Sequence, residues 1–225
     1  MPQVSEEKEY VVLLHGLARS ARSMEKLAAR LGREGYGVVN IDYPSTRHSI
    51  ADLTENMLVD KLPALAAKAT SIHFVTHSMG GILVRQYLAH HRLPKLGRVV
   101  MLSPPNRGSE VVDRLRDSVF FRWLNGPAGQ ELGTDPMSVP CQLRPVDFDL
   151  GVITGNRVIE PWLAWMIPGE SDGKVAVESA RIEGMRDFLV VPYSHTFIMQ
   201  RKAVMEQVVC FLRTGKFNAR KGTGG

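Results

Sequence analysis

The ordered pattern of the chain begins with an unbroken apolar, β-favouring run at residues 10–14 that stops at His15-Gly16. Such a run, bounded by a turn signal, predicts a strand buried on both faces. Met24, Leu27, Ala28 and Leu31 then recur at helical spacing, with Ser23 placed to cap that helix. Gly35 and Gly37 punctuate a second strand at 38–41. A second amphipathic stretch runs from Asp52 to about residue 69, with Leu53, Met57, Leu58, Leu62 and Leu65 on one face; Pro63 kinks or restarts it. Residues 72–76 read as a third strand, 79–90 as a third helix, and 99–102 as a fourth strand closed by Pro104-Pro105.

The alternation pauses over 106–147, where only 109–124 has a helical pattern. It resumes with a strand at 150–154, a long loop, a strand at 188–191 and a helix over about 197–212, ended by Gly215. Strand–helix alternation of this kind predicts an α/β fold: a mostly parallel sheet with helices on both faces. A length of 225 residues fits one such domain. The expected layout is an N-terminal extension at 1–9, a domain at 10–214 with a cap or lid insertion at about 106–147, and a flexible basic tail at 215–225.

Composition narrows the function classes. With 44% hydrophobic and 23% charged residues the chain is neither disordered nor fibrous. No apolar run approaches the ~18 residues of a membrane span, so no stable membrane insertion is expected. The acidic first residues lack the form of a secretory signal, which predicts a cytoplasmic protein. The net charge of +5 includes Lys216, Arg220 and Lys221 in the tail, and no basic helix carries the rest. That is a solvated basic surface, with no nucleic-acid partner implied. Cys141 and Cys210 read as two unpaired buried thiols, with a single disulfide as the alternative.

The chemistry concentrates in Ile72-His73-Phe74-Val75-Thr76-His77-Ser78-Met79-Gly80-Gly81, where a strand runs straight into a helix. A tight turn there lifts the Ser78 hydroxyl above the sheet and holds its backbone in strained geometry. Gly80 removes a Cβ that would collide with the neighbouring strand, and the helix N-terminus offers free N–H groups to an oxyanion. A serine that merely caps the helix would not need two glycines in the first turn. Ser78 is therefore the candidate nucleophile.

Four segments resemble the α/β-hydrolase family, specifically its small serine esterases and lipases: Val-Leu-Leu-His-Gly-Leu (12–17), His-Ser-Met-Gly-Gly (77–81), Ser-Asp-Gly (171–173) and Ser-His-Thr-Phe (194–197). The resemblance spans about residues 10–212. Thr76 stands where the family's Gly-x-Ser-x-Gly has its first glycine.

A serine needs a base, and the chain offers seven histidines. His73 lies roughly 16 Å back along its strand at ~3.3 Å per residue. His90 and His91 lie roughly 18 Å or more up the helix at ~1.5 Å per residue. His77 adjoins Ser78 but is expected to leave the turn in another direction, and His48 sits on an early loop. His195, after the last strand at the carboxyl end of the sheet, remains. The family's chain order Ser…Asp…His, and the similarity of Asp172-Gly173 followed by Val175-Ala176-Val177 to its acid loop, imply Asp172 as the carboxylate, with Glu170 as the fallback.

By the same resemblance, the backbone amides of Leu17 and Met79 form the oxyanion hole. His15 braces that loop or borders the substrate. The loop from Asn106 resembles one lining the site, and the aromatic clusters around Trp123 and Trp162 form either an acyl pocket and lid or ordinary core. Arg19, Arg22 and Arg107 read as solvated arginines, with recognition of an anionic group as the alternative. Metal-ligand spacing and phosphate or dinucleotide fingerprints are missing, so no metal or cofactor is expected. The implied activity is hydrolysis of a small-molecule or lipid carboxylic ester. Thioester hydrolysis, acyl transfer, amide hydrolysis and a non-catalytic binding role are the alternatives.

Overall fold

Six strands, β1 (Lys8–Leu14), β2 (Gly37–Ile41), β3 (Ala69–His77), β4 (Leu96–Leu102), β5 (Leu150–Gly155) and β6 (Asp187–Val191), form one sheet in a computed structural model that describes residues 8–159 and 165–218. Every pairing is parallel and the spatial order is β2-β1-β3-β4-β5-β6. The central strands are buried on both faces, which is why they appear in the sequence as continuous apolar runs.

The pleat sorts their side chains into two cores. Val12, Leu14, Phe74, Val99, Met101 and Val152 face one layer, while Val11, Leu13, Val75, Val100, Leu102 and Ile153 face the other. The first layer is covered by α2 (Ile50–Thr54), α3 (Lys61–Lys68) and α4 (Met79–His90), through Ile50, Leu62, Ile82 and Leu83. The second is covered by α1 (Glu25–Arg33), through Leu27 and Leu31. A C-terminal helix at 202–214, through Val208 and Phe211, completes that layer. Each fully buried aliphatic side chain contributes roughly 1.5–3 kcal/mol.

Several local expectations need correction. Ser23 does not cap α1: a 3-10 turn, Ala21–Met24, precedes the helix, and the Ser23 hydroxyl bonds the Ser20 carbonyl at 2.8 Å. The second amphipathic stretch starts at Ile50, capped by Ser49, whose Oγ accepts from the Asp52 amide at 3.1 Å. A π turn at Glu55–Val59 then separates α2 from α3, and Pro63 sits in the first turn of α3. Its missing N–H costs nothing there, because first-turn amides have no intrahelical acceptor.

Three helices occupy the segment between β4 and β5: α5 (Glu110–Leu115), α6 (Val119–Gln130) and α7 (Val139–Gln142). The single helix expected over 109–124 is thus two, and the second continues past it through a kink at Gly126-Pro127. Gly126 has φ 63°, and a Cβ there would lie 1.7 Å from the Thr46 carbonyl oxygen. Only glycine allows α6 to settle on the loop after β2, where the Ala128 amide bonds the His48 carbonyl at 3.2 Å. The final helix, α8 (Lys202–Thr214), starts later than expected, after a 3-10 turn at Ile198–Gln200, and ends on Gly215 in the left-handed region. Beyond it, Phe217 packs against Phe211 with ring centroids 4.9 Å apart. Cys141 and Cys210 are both free, and Cys141 is exposed rather than buried.

Arg85 on α4 joins this intervening segment to the helix that follows Ser78. It is buried, and among the described residues no carboxylate pairs with it. Its guanidinium instead donates to the carbonyls of Asn106 (2.9 Å), Pro140 (3.2 Å) and Leu143 (3.0 Å). Burial draws its pKa down to about 10. His15, His73 and His77 are buried as well, and burial lowers the pKa of all three.

Two outcomes are expected. Arg85→Met leaves three buried carbonyls without donors and should lower unfolding free energy by about 2–4 kcal/mol, measured by urea denaturation. For the histidines, the unfolded chain binds protons below pH 6.5 while the native sites resist them. Stability is therefore retained above that pH and falls as pH drops below it, by up to about 1.4 kcal/mol per pH unit for each excluded proton. Urea midpoints at pH 7 and pH 5 test the sign.

Candidate active site

The site is built where three strands end beside one another. β3 ends at His77, and Ser78 makes the turn into α4 with φ 53° and ψ −125°. A non-glycine residue in this region costs on the order of 1–3 kcal/mol. Its amide is held by the Leu102 carbonyl at 2.8 Å, and its carbonyl accepts from Gly81 at 2.9 Å. A Cβ on Gly80 would lie 2.6 Å from the Leu14 carbonyl oxygen and 2.8 Å from that of His15. The turn can therefore seat α4 against the end of β1 only with glycine there. Thr76 is fully buried beneath α4, and a Cβ on Gly81 would lie 3.2 Å from its Oγ1. Gly81 thus provides the room that Thr76 takes up.

After β1 the chain passes through His15 and Gly16 directly over this turn. A Cβ on Gly16 would lie 2.8 Å from Nδ1 of His77 and 3.1 Å from the Ser78 Cβ. His15 stacks on Tyr43 with ring centroids 4.0 Å apart. Its Nδ1 bonds the Gly16 carbonyl at 2.8 Å, and its Nε2 accepts from the Tyr43 amide at 3.3 Å. The Tyr43 hydroxyl donates to the His15 carbonyl. With no exposed surface and both nitrogens occupied, His15 braces the loop and has no face for substrate. The Ala18 amide is taken by Ser45 Oγ at 3.0 Å, whereas the Leu17 amide has no backbone acceptor among the described residues. Met79 is the first residue of α4, so its N–H has no intrahelical partner.

His195 follows β6 and meets Asp172 from the loop after β5. Nδ1 of His195 lies 2.9 Å from Oδ2 of Asp172, and the His195 amide bonds the Asp172 carbonyl at 3.0 Å. The other carboxylate oxygen accepts the amides of Lys174 (3.0 Å) and Val175 (2.9 Å). Complete burial alone would raise the Asp172 pKa; the charge and hydrogen bond of His195, the Ser103 hydroxyl and the Val175 amide outweigh it and hold the pKa low. Glu170 is exposed and bonded to Asn156 Nδ2 at 2.7 Å. Of the two carboxylates considered, Asp172 is the one the fold brings to His195.

Other expected contacts fall elsewhere. Asn106 is buried, its Nδ2 donating to the Ala180 carbonyl at 2.8 Å and its Oδ1 accepting from Arg85 at 3.4 Å, so its side chain is structural. Trp123 is 78% exposed on α6, with Val119, Phe120 and Leu124 forming an outward apolar face. Only Leu124 of that face lines the open groove of about 610 Å³ beside Ala18, Arg19, Tyr43, Thr46 and Arg47. Trp162 lies outside the described residues. Two residues near the site were missed. Ser103, at the end of β4 with φ 49°, stands against Asp172; a second serine at a strand end, it carries no motif. His77, expected to turn away, lies with its ring 4.9 Å from that of His195 and its Nε2 3.0 Å from the His195 carbonyl oxygen.

Comparison with known proteins agrees with this architecture. The Bacillus licheniformis lipase BlEst2 in its mature form superposes with a TM-score of 0.73 at 20% identity, over 93% of each chain. Aspergillus fumigatus lipase B gives 0.68 at 16% identity, over 93% of this chain and 53% of that one. In sequence, 91 residues are 33% identical to a Mycobacterium phage D29 protein named "Putative non-heme haloperoxidase", a match covering 36% of this chain and 31% of that protein. Among the described residues no helix is long and apolar enough to cross a membrane. The model of the Alpha/beta hydrolase family matches residues 11–202, and with nearly the whole sheet and both site loops inside that match, the chain belongs to this family.

Proposed function

We propose that the protein is a serine hydrolase of carboxylic esters, with Ser78 as nucleophile, His195 as general base and acid, and Asp172 as the orienting carboxylate. One observation carries the reading: the buried Asp172 carboxylate bound to Nδ1 of His195 at 2.9 Å, beside the strained turn that presents Ser78. An ionised carboxylate only accepts, so Nδ1 carries the ring proton and Nε2 the lone pair. That tautomer takes the Ser78 proton as Oγ attacks the acyl carbon. The amides of Leu17 and Met79 receive the oxyanion, each worth on the order of 3 kcal/mol in the transition state. The Nε2 proton then passes to the leaving alkoxide, giving an acyl-enzyme and free alcohol. Water, deprotonated by the same nitrogen, releases the acid and restores Ser78. Asp172 stays ionised throughout and stabilises the transient imidazolium.

Leu124, with Ala18, Tyr43 and Pro44, gives the groove beside the Leu17 loop an apolar part, distinct from the charged Arg19, Asp42 and Arg47, and that part is the one an aliphatic acyl chain would occupy. The segment between β4 and β5 acts as the cap on that side, on a hydrolase unit spanning residues 10–214. Matched-chain oxygen esters, thioesters and amides rank the leaving groups, and a thioester or amide preferred over the ester would move the assignment.

Ser78→Ala and His195→Ala are each expected to lose about 10⁴-fold or more in kcat on p-nitrophenyl esters, and Asp172→Asn about as much. Fluorophosphonate labelling should vanish with Ser78. Retained turnover in purified Ser78→Ala would overturn the mechanism. Leu124→Trp narrows the groove and should lower kcat/KM on octanoate about tenfold while leaving acetate within about twofold, measured across an acyl-chain series.

A further inference from the structure

His77 carries an unusual pair of ring nitrogens. Nε2 lies 3.0 Å from the carbonyl oxygen of His195, a residue 118 positions away. A carbonyl only accepts, so Nε2 must hold a proton and donate. Nδ1 is buried and has no hydrogen-bond partner among the described residues; it faces the backbone of Gly16. A proton there would be an orphaned donor, so the ring is the neutral Nε2–H tautomer. The surroundings agree on balance: burial first, then the charges of His195, Arg19 and Lys174 disfavour a cation and outweigh the His195 carbonyl, which favours it.

The consequence falls on the backbone of His195. Its N–H is tied to the Asp172 carbonyl at 3.0 Å, its ring Nδ1 to the Asp172 carboxylate at 2.9 Å, and its C=O to His77. The first two bonds fix His195 relative to the acid loop alone. The third fixes it relative to β3, whose next residue is Ser78. We propose that His77 is a positioning residue: its Nε2–H donates to the His195 carbonyl and sets the distance between the base and the nucleophile turn. Its neutrality serves the same end, because a cation with its ring 4.9 Å from that of His195 would oppose the imidazolium formed during turnover.

This inference rests on the triad reading above, and the test separates the two. His77→Phe keeps an aromatic ring of similar size without the donor, while His77→Gln can place an amide N–H near the position of Nε2. Rates are expressed per fluorophosphonate-reactive site, so unfolded protein does not count. His77→Phe is expected to lose between about 10- and 100-fold in kcat with KM within about twofold, and His77→Gln to recover to within about threefold of the parent. Equal kcat in the two variants, whether unchanged or lowered, overturns the proposal.

A second readout needs no turnover: the low-field proton resonance of the His195–Asp172 hydrogen bond. It should broaden or shift in His77→Phe and return in His77→Gln. If that pattern appears in a protein that hydrolyses no ester, the positioning contact stands and the hydrolase reading falls. If the parent is an active esterase and the resonance is the same in all three proteins, the contact has no positioning role.

Discussion

At the junction of β3 and α4 the chain has room for a hydrogen atom and nothing larger. The carbonyl oxygens of Leu14 and His15 lie 2.6 and 2.8 Å from where a Cβ of Gly80 would stand. That approach forces Ser78 out of the allowed helical region, and the strained residue is held by bonds on both sides rather than by its own preference. The proposed function depends on this contact. It lifts the hydroxyl above the sheet, leaves the Met79 amide unpaired at the head of α4, and brings Gly16 over the turn. Stability for the strain comes from the β1, β3 and β4 core below it, where Val12, Phe74 and Val99 are fully buried.

The same constraint explains why the loops carrying Asp172 and His195 need their own anchors. The sheet places the ends of β3, β5 and β6 at one edge, but strand register does not fix a side chain hanging from a loop. Asp172 is set by the Lys174 and Val175 amides, a turn closed locally. A Cβ on Gly155 would lie 2.0 Å from the Tyr193 carbonyl, so the loop preceding His195 lies directly on the end of β5. Local turns thus hold each loop to its own strand, while one backbone bond and one side-chain bond join Asp172 to His195, and the His77 ring reaches the His195 carbonyl across the remaining gap.

How far all this is legible in sequence follows from the range of the interactions. Buried parallel strands are continuous apolar runs, so the sheet and its helices could be read directly. The strained turn at Ser78 was legible because close approach needs glycines at fixed offsets, and His195 was singled out by eliminating histidines too distant along regular elements. The segment from 106 to 147 was not, because its shape is set by contacts from afar: Thr46 below Gly126, and Arg85 below Asn106 and Pro140. His15 and Asn106 looked available to substrate because polar residues beside a site resemble ligands until their partners are known. His77 was dismissed because adjacency to Ser78 fixes where its Cα lies and says nothing about what arrives from 118 residues away.

Those buried histidines divide the work by tautomer. His15 bonds the Gly16 carbonyl through Nδ1 and accepts at Nε2, whereas His77 donates through Nε2 and leaves Nδ1 bare. Each is neutral because burial penalises the cation, and each spends its one proton on a backbone carbonyl of a loop bordering Ser78. His195 differs from both in bonding a buried carboxylate at 2.9 Å; the carboxylate near His15, that of Asp42, is exposed and lies 3.4 Å from Nε2. A buried imidazole beside a carboxylate can become cationic and return; one facing only carbonyls cannot do so cheaply. On the proposed mechanism these three histidines therefore take two kinds of task, and a buried carboxylate at Nδ1, far more than exposure, marks the one suited to carry a proton.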